Sequence, residues 1–155
     1  MEWLIDGYNL LISNGLGHSE TARDRLARRL WAFFPGVGDR VIIVYDSRGK
    51  LGVEKRRISS SISEVYTASA DRYLVRRVEQ SHHPRSIILV TDDREIVFDL
   101  RAYKITRKST AEFLKMLASP SPRSFRPEKP EYETPENIER YLRLFGEEEE
   151  GSELK

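Results

Sequence analysis

Three short apolar runs in this chain each stop on an acid, and that repetition restricts the fold more than any other feature. Trp3-Leu4-Ile5 ends on Asp6, Val41-Ile42-Ile43-Val44-Tyr45 ends on Asp46, and Ile87-Ile88-Leu89-Val90 runs into Thr91-Asp92-Asp93. Continuous apolarity, rich in β-branched residues, marks strands buried on both faces, which requires helices on both sides of the sheet. Ligands of such sheets sit beyond the carboxyl ends of the strands, where these acids fall.

The intervening segments supply the helices. Ser19 can cap a helix that presents Ala22, Leu26, Leu30 and Phe33 or Phe34 on one face, with Arg23, Arg25, Arg28 and Arg29 opposite; Pro35-Gly36 ends it. A basic, Gly-containing loop is expected from Arg48 to Arg57. Ile58 to Tyr66 alternates between apolar and polar residues, as a strand near a sheet edge does. Helices are expected from Thr67-Ala68-Ser69 to about Gln80 and over Glu95–Ala102, then a strand around Lys104-Ile105-Thr106. Ser109 and Glu112 form a capping box for a helix through Leu117. The order β-α-β-β-α-β-α-β-α implies a three-layer α/β/α sandwich with a mostly parallel central sheet and right-handed crossovers.

The expected organisation is a domain over residues 1–118, a Pro/Ser-rich connector over 119–135, a helix over 136–146 and an acidic tail over 147–155. The stripe Ile138, Tyr141, Leu142 and Phe145 suits a helix that docks on the body or binds a partner. With 155 residues there is enough chain for one domain with a real core, and no run is apolar enough to cross a bilayer. The absence of cysteine excludes disulfides and thiolate chemistry, and together with the lack of a secretory signal it fits a cytoplasmic protein. Monomer is the default expectation. Residues 131–155 hold nine acids and three basic residues, whereas the first 130 hold 23 basic residues and 16 acids. A basic body with an acidic tail suits a polyanionic partner, or simply a solvated surface.

In a parallel sheet the strand ends share one edge, so Asp6, Asp46 and the pair Asp92-Asp93 should converge. Asp71 opens a helix that could approach the same edge, although the helix dipole alone is a sufficient reason for an acid there. Carboxylates brought together repel, and a hard divalent cation, Mg²⁺ or Mn²⁺, relieves that repulsion. Singly, each Asp is better explained as a cap or turn residue, and it is their joint occurrence that favours a metal site.

The segments D-G-Y-N (Asp6–Asn9), strand-terminal Asp46, A-D-R-Y-L (Ala70–Leu74) and V-T-D-D-R-E (Val90–Glu95) resemble the NYN domain. More narrowly the chain resembles the YacP-like branch, relatives of PIN-domain ribonucleases, over nearly its whole length to L-R-L-F-G. The resemblance implies a PIN-like sandwich and Mg²⁺- or Mn²⁺-dependent endoribonuclease activity. It implies acidic ligands at Asp6, Asp46, Asp71 and Asp93, with Asn9 beside them. Where the family usually has Thr-Ser-Asp this chain has Thr91-Asp92-Asp93, so Asp92 is an additional acid and a further candidate ligand.

The chemistry so implied is phosphodiester hydrolysis with one ion or two. Asn9 either holds a water or phosphate oxygen or stabilises the turn after Gly7. Arg48, Lys50, Lys55, Arg56 and Arg57 either grip RNA phosphates or form a solvated loop. Tyr8 either stacks on a base or packs in the core. His82-His83 read as loop residues. The partner implied is RNA, free or on a ribosome, with no membrane. Two rivals remain: a catalytically silent RNA-binding or adaptor protein on the same fold, and a small-molecule phosphohydrolase. The latter lacks its second Asp, because Tyr8 stands two positions after Asp6.

Overall fold

The computed structural model describes residues 1–34, 36–47 and 52–119. The connector, C-terminal helix and acidic tail expected over 119–155 lie, apart from Ser119, outside the described residues, as do Arg48 and Lys50. The elements are β1 (Glu2–Asp6), α1 (Gly7–Ser13), α2 (Glu20–Phe33), β2 (Arg40–Asp46), β3 (Val53–Arg57), β4 (Ile62–Thr67), α3 (Ala70–Glu79), β5 (Ile87–Val90), α4 (Arg94–Asp99), β6 (Thr106–Lys108) and α5 (Thr110–Ala118). They form a six-stranded sheet in the order β3-β4-β2-β1-β5-β6, antiparallel only at β3.

The apolar runs are the three central strands. Trp3 pairs with Val41 and Ile88, and Ile5 with Ile43 and Val90. Strand alternation sends Trp3, Ile5, Ile43 and Tyr45 into one core with Leu10, Leu26, Leu30, Phe34 and Phe113 of the α1, α2 and α5 layer. The ring of Trp3 packs edge-on against Phe34 at 5.3 Å and tilted against Phe113 at 5.6 Å. Leu4, Ile42, Val44 and Leu89 face the other way, against Ala70, Leu74 and Val78 of α3 and Ile96 of α4. Each buried large side chain contributes roughly 1.5–3 kcal/mol. Among the described residues no helix is long and apolar enough to cross a membrane.

Three differences from the expected order have physical causes. A helix, α1, starts immediately after Asp6, so two helices rather than one join β1 to β2. The expected basic loop contains β3, the edge strand. All five of its residues are exposed, and its charges hide any alternation while discouraging edge-to-edge pairing. β4 therefore lies one strand in from the edge, closed onto β3 by a turn in which Ser59 Oγ accepts the N–H groups of Ser61 and Ile62. Finally, β6 begins at Thr106, two residues later than expected.

Candidate active site

Asp6 is the last residue of β1 and is only 6% exposed. It stands at the N-cap of α1, yet its side chain makes no capping hydrogen bond. Its Oδ2 instead accepts the Thr91 hydroxyl at 3.0 Å. The same Thr91 oxygen accepts the Asp93 N–H at 3.0 Å, and the Asp93 carboxylate caps α4 through the Glu95 N–H at 2.9 Å. One hydroxyl thus couples the end of β1 to the start of α4. Gly7 makes the turn possible: a Cβ there would lie 2.4 Å from the buried Tyr45 ring.

Asp46 ends β2 and is exposed, on the same sheet face as Val44. Asp71 is an exposed residue in the first turn of α3; the capping there belongs to Ser69, whose Oγ accepts the Arg72 N–H. The electrostatics link all four acids. Burial lifts the Asp6 carboxyl to about 6, the charges of Asp71, Asp93 and Asp46 push the same way, and the Thr91 hydrogen bond opposes them. Asp71 is raised by burial and then by Asp93, Asp46 and Glu95. Glu95, a neighbour that the strand-end pattern did not single out, belongs to this field through the first turn of α4.

Asp92 has a different occupation. Its carboxylate accepts the backbone N–H and the hydroxyl of Thr110 at the start of α5, and its charge is not among those acting on Asp6. Its own N–H donates to Asn9 Oδ1 at 2.8 Å. Asn14, at the end of α1, donates from Nδ2 to the Thr110 hydroxyl at 2.9 Å. Asn9 and Asp92 therefore tie α1, the turn after β5 and α5 together behind the other acids.

The basic residues divide. Lys55 is exposed on β3. Arg56 lies 3.8 Å from the buried Glu64, and Arg57 donates to the Ser59 carbonyl at 3.3 Å. Because β3 is antiparallel, Val53 pairs with Thr67 at the acid edge and Arg57 with Ser63, four residues back. That is about 13 Å along the strand. Glu64 went unnoticed in the sequence because I-S-E-V-Y-T reads as a strand with an outward acid; it lies on the face shared with Ile62 and Tyr66, near Arg23 and Asp24 of α2 and with Arg56 alongside. Burial raises Glu64 to about 7, against the lowering effect of Arg56. Tyr8 packs against Tyr45 at 4.8 Å and its hydroxyl accepts Arg23 Nη1 at 3.0 Å, and Tyr66 stacks on Tyr45 at 5.3 Å. Exposed His82 and His83 precede β5, at the sheet edge away from the acids.

Oxygen donors of this kind suit a hard divalent cation. Among the described residues, however, no three acidic or histidine side chains stand together as a ready-made metal group. Mg²⁺ is compatible with that spacing, because it usually keeps several waters and takes one or two carboxylates from the protein.

Residues 3–144 match the family model described as the YacP-like NYN domain. Among solved structures, the chain is similar to Rae1 (YacP) from Bacillus subtilis, at 22% identity and a TM-score of 0.56, with 99% of this chain and 86% of that one covered. A point mutant of the same Bacillus protein matches at the same identity and TM-score, over 75% of this chain and 74% of that one. No curated protein matches the chain.

Proposed function

The chain belongs to the YacP-like NYN domain family, which has a PIN-like nuclease fold, and from that premise we propose that it is a Mg²⁺- or Mn²⁺-dependent endoribonuclease. The observation that supports the reading best is that Asp46 and Asp93 stand close enough to Asp6 and Asp71, at one sheet edge, for their charges to raise both carboxyls. Four acids in one field oppose folding unless a cation offsets them.

In this reading one or two of Asp6, Asp46, Asp71 and Asp93 would ligate the cation directly and the others would act through its bound waters. When bound, it would neutralise charge on the attacked phosphate and make a water nucleophilic near neutral pH. The protein's own contributions are orientation and access. Thr91 fixes the Asp6 carboxylate, and the Asp93 cap fixes α4. Asp46 and Asp71 are exposed, so the side from which RNA and water arrive is open. Asp92 and Asn9 serve as positioning residues, since both are engaged with backbone or with Thr110.

The test is incubation of the purified full chain with assorted RNAs in Mg²⁺, Mn²⁺ or EDTA, beside Asp71→Asn and Asp93→Asn. Cleavage with metal, lost in EDTA and in both variants, is the expected result. RNA that binds but stays intact in either metal would overturn catalysis in favour of an RNA-binding adaptor. If Asp93→Asn cleaves like the parent, Asp93 leaves the ligand set.

A further inference from the structure

A groove of about 370 Å³ lies along α3 beside the last residue of α4, Asp99, and Asp71 is among the residues that line it. Arg72 and Arg76 line it, Val75 contributes its apolar part, and Glu79 and Asp99 also face it. Four residues apart on α3, the two arginines share one face, with Cβ atoms about 5–6 Å apart. Both are exposed, and among the described residues neither makes a salt bridge. Arg77, the next residue along α3, is committed instead to Glu2 at 2.8 Å.

We propose that this groove holds the RNA backbone as it leaves the carboxylate edge, with Arg72 and Arg76 on successive phosphates. The proposal rests on the nuclease reading and assigns the grip to residues outside the basic segment 48–57. An exposed arginine is ordinarily just solvated. Here the two stand beside an acid proposed to hold the cation at the scissile phosphate, in a groove that this acid also lines. A strand attacked at Asp71 has its neighbouring phosphates within reach of both. Guanidinium is the group that pairs with phosphate oxygens through two parallel hydrogen bonds. Glu79 is a further turn along α3, and with Asp99 it repels a polyanion, so the grip covers about two phosphates before the strand departs. Contacts of this kind give affinity without reading sequence.

The test measures binding of a short single-stranded RNA to the full chain in EDTA, over a range of salt. Arg72→Ala/Arg76→Ala should weaken binding for unrelated sequences and flatten the plot of log K against log salt by about 1.4, two phosphates at about 0.7 each. Thermal stability should stay near the parent's, while the RNA concentration needed for half-maximal cleavage should rise. Glu79→Gln/Asp99→Asn should tighten binding, which no purely structural role of the arginines explains. An unchanged salt slope in the arginine variant, with RNA still bound and cut, overturns the groove and leaves the nuclease reading standing. If the parent binds RNA but cuts none in Mn²⁺, the nuclease reading falls, and the groove stands or falls on the slope alone. A parent that binds no RNA in EDTA removes the groove, and one that also cuts none in Mn²⁺ removes the nuclease reading as well.

Discussion

Asn9 reaches across 83 positions of sequence to accept the Asp92 N–H at 2.8 Å, and this contact fixes α1 against the turn that carries Asp93. Asn9→Ala removes the acceptor and should lower stability by about 1 kcal/mol, the net value of one hydrogen bond. Cleavage should fall more than RNA binding does, because the lost contact sets where Asp93 sits. Asn9→Asp keeps an acceptor but adds a negative charge near four others. It should recover binding geometry only with metal present. Melting curves with and without Mn²⁺ separate the two, and equal behaviour of Ala and Asp variants would exclude a positioning role.

Asp6 makes the metal-free protein sensitive to pH. Its carboxyl rises from 3.8 to about 6 on folding, so between those values the native state binds the proton more tightly than the unfolded chain. The native state is therefore stabilised at low pH and loses that advantage as pH rises from about 4 to 6. A shift of about two pH units corresponds to about 3 kcal/mol. Asp6→Asn should remove this contribution, raise metal-free stability at pH 7, and abolish the rise in Tm that Mg²⁺ or Mn²⁺ gives the parent. Retention of that metal-induced rise in Asp6→Asn would take Asp6 out of the site.

Glu64 and Arg56 test a neighbouring region on the opposite sheet face. The Glu64 carboxyl goes from 4.5 to about 7, so its charged form is the costly one and stability falls as pH rises across that window. Glu64→Gln should flatten that slope. Arg56→Ala should steepen it, destabilising far more at pH 8 than at pH 5, since the guanidinium offsets only the ionised form. Denaturant unfolding at the two pH values measures this. Equal losses at both would mean that Arg56 contributes packing alone.

Much of the site could be read from the chain because its acids end strands, and a parallel register brings strand ends to one edge. The central strands and the caps at Ser19 and Ser109 were equally legible, since local chemistry determines them. β3 was not. V-E-K-R-R has neither alternation nor an apolar residue after Val53, and only pairing with β4 makes it a strand. The burial of Glu64 could not be read either, because it depends on packing against α2, a tertiary fact. Asp92 and Asp93 are adjacent acids with different partners, and which one faces the other carboxylates depends on α4 and α5.

The ring of Tyr45 beneath Gly7 imposes an order on how this protein can change. Alanine at position 7 is blocked while the tyrosine is present, and a smaller residue at 45 alone leaves a void beneath Tyr8 and Tyr66. Each single step is unfavourable, whereas the pair taken together relieves the clash and fills part of the void. Positions 7 and 45 are thus linked in heredity as well as in space. A lineage that has lost the glycine should have lost the tyrosine first, and the turn that carries Asp6 can be remodelled only by that route.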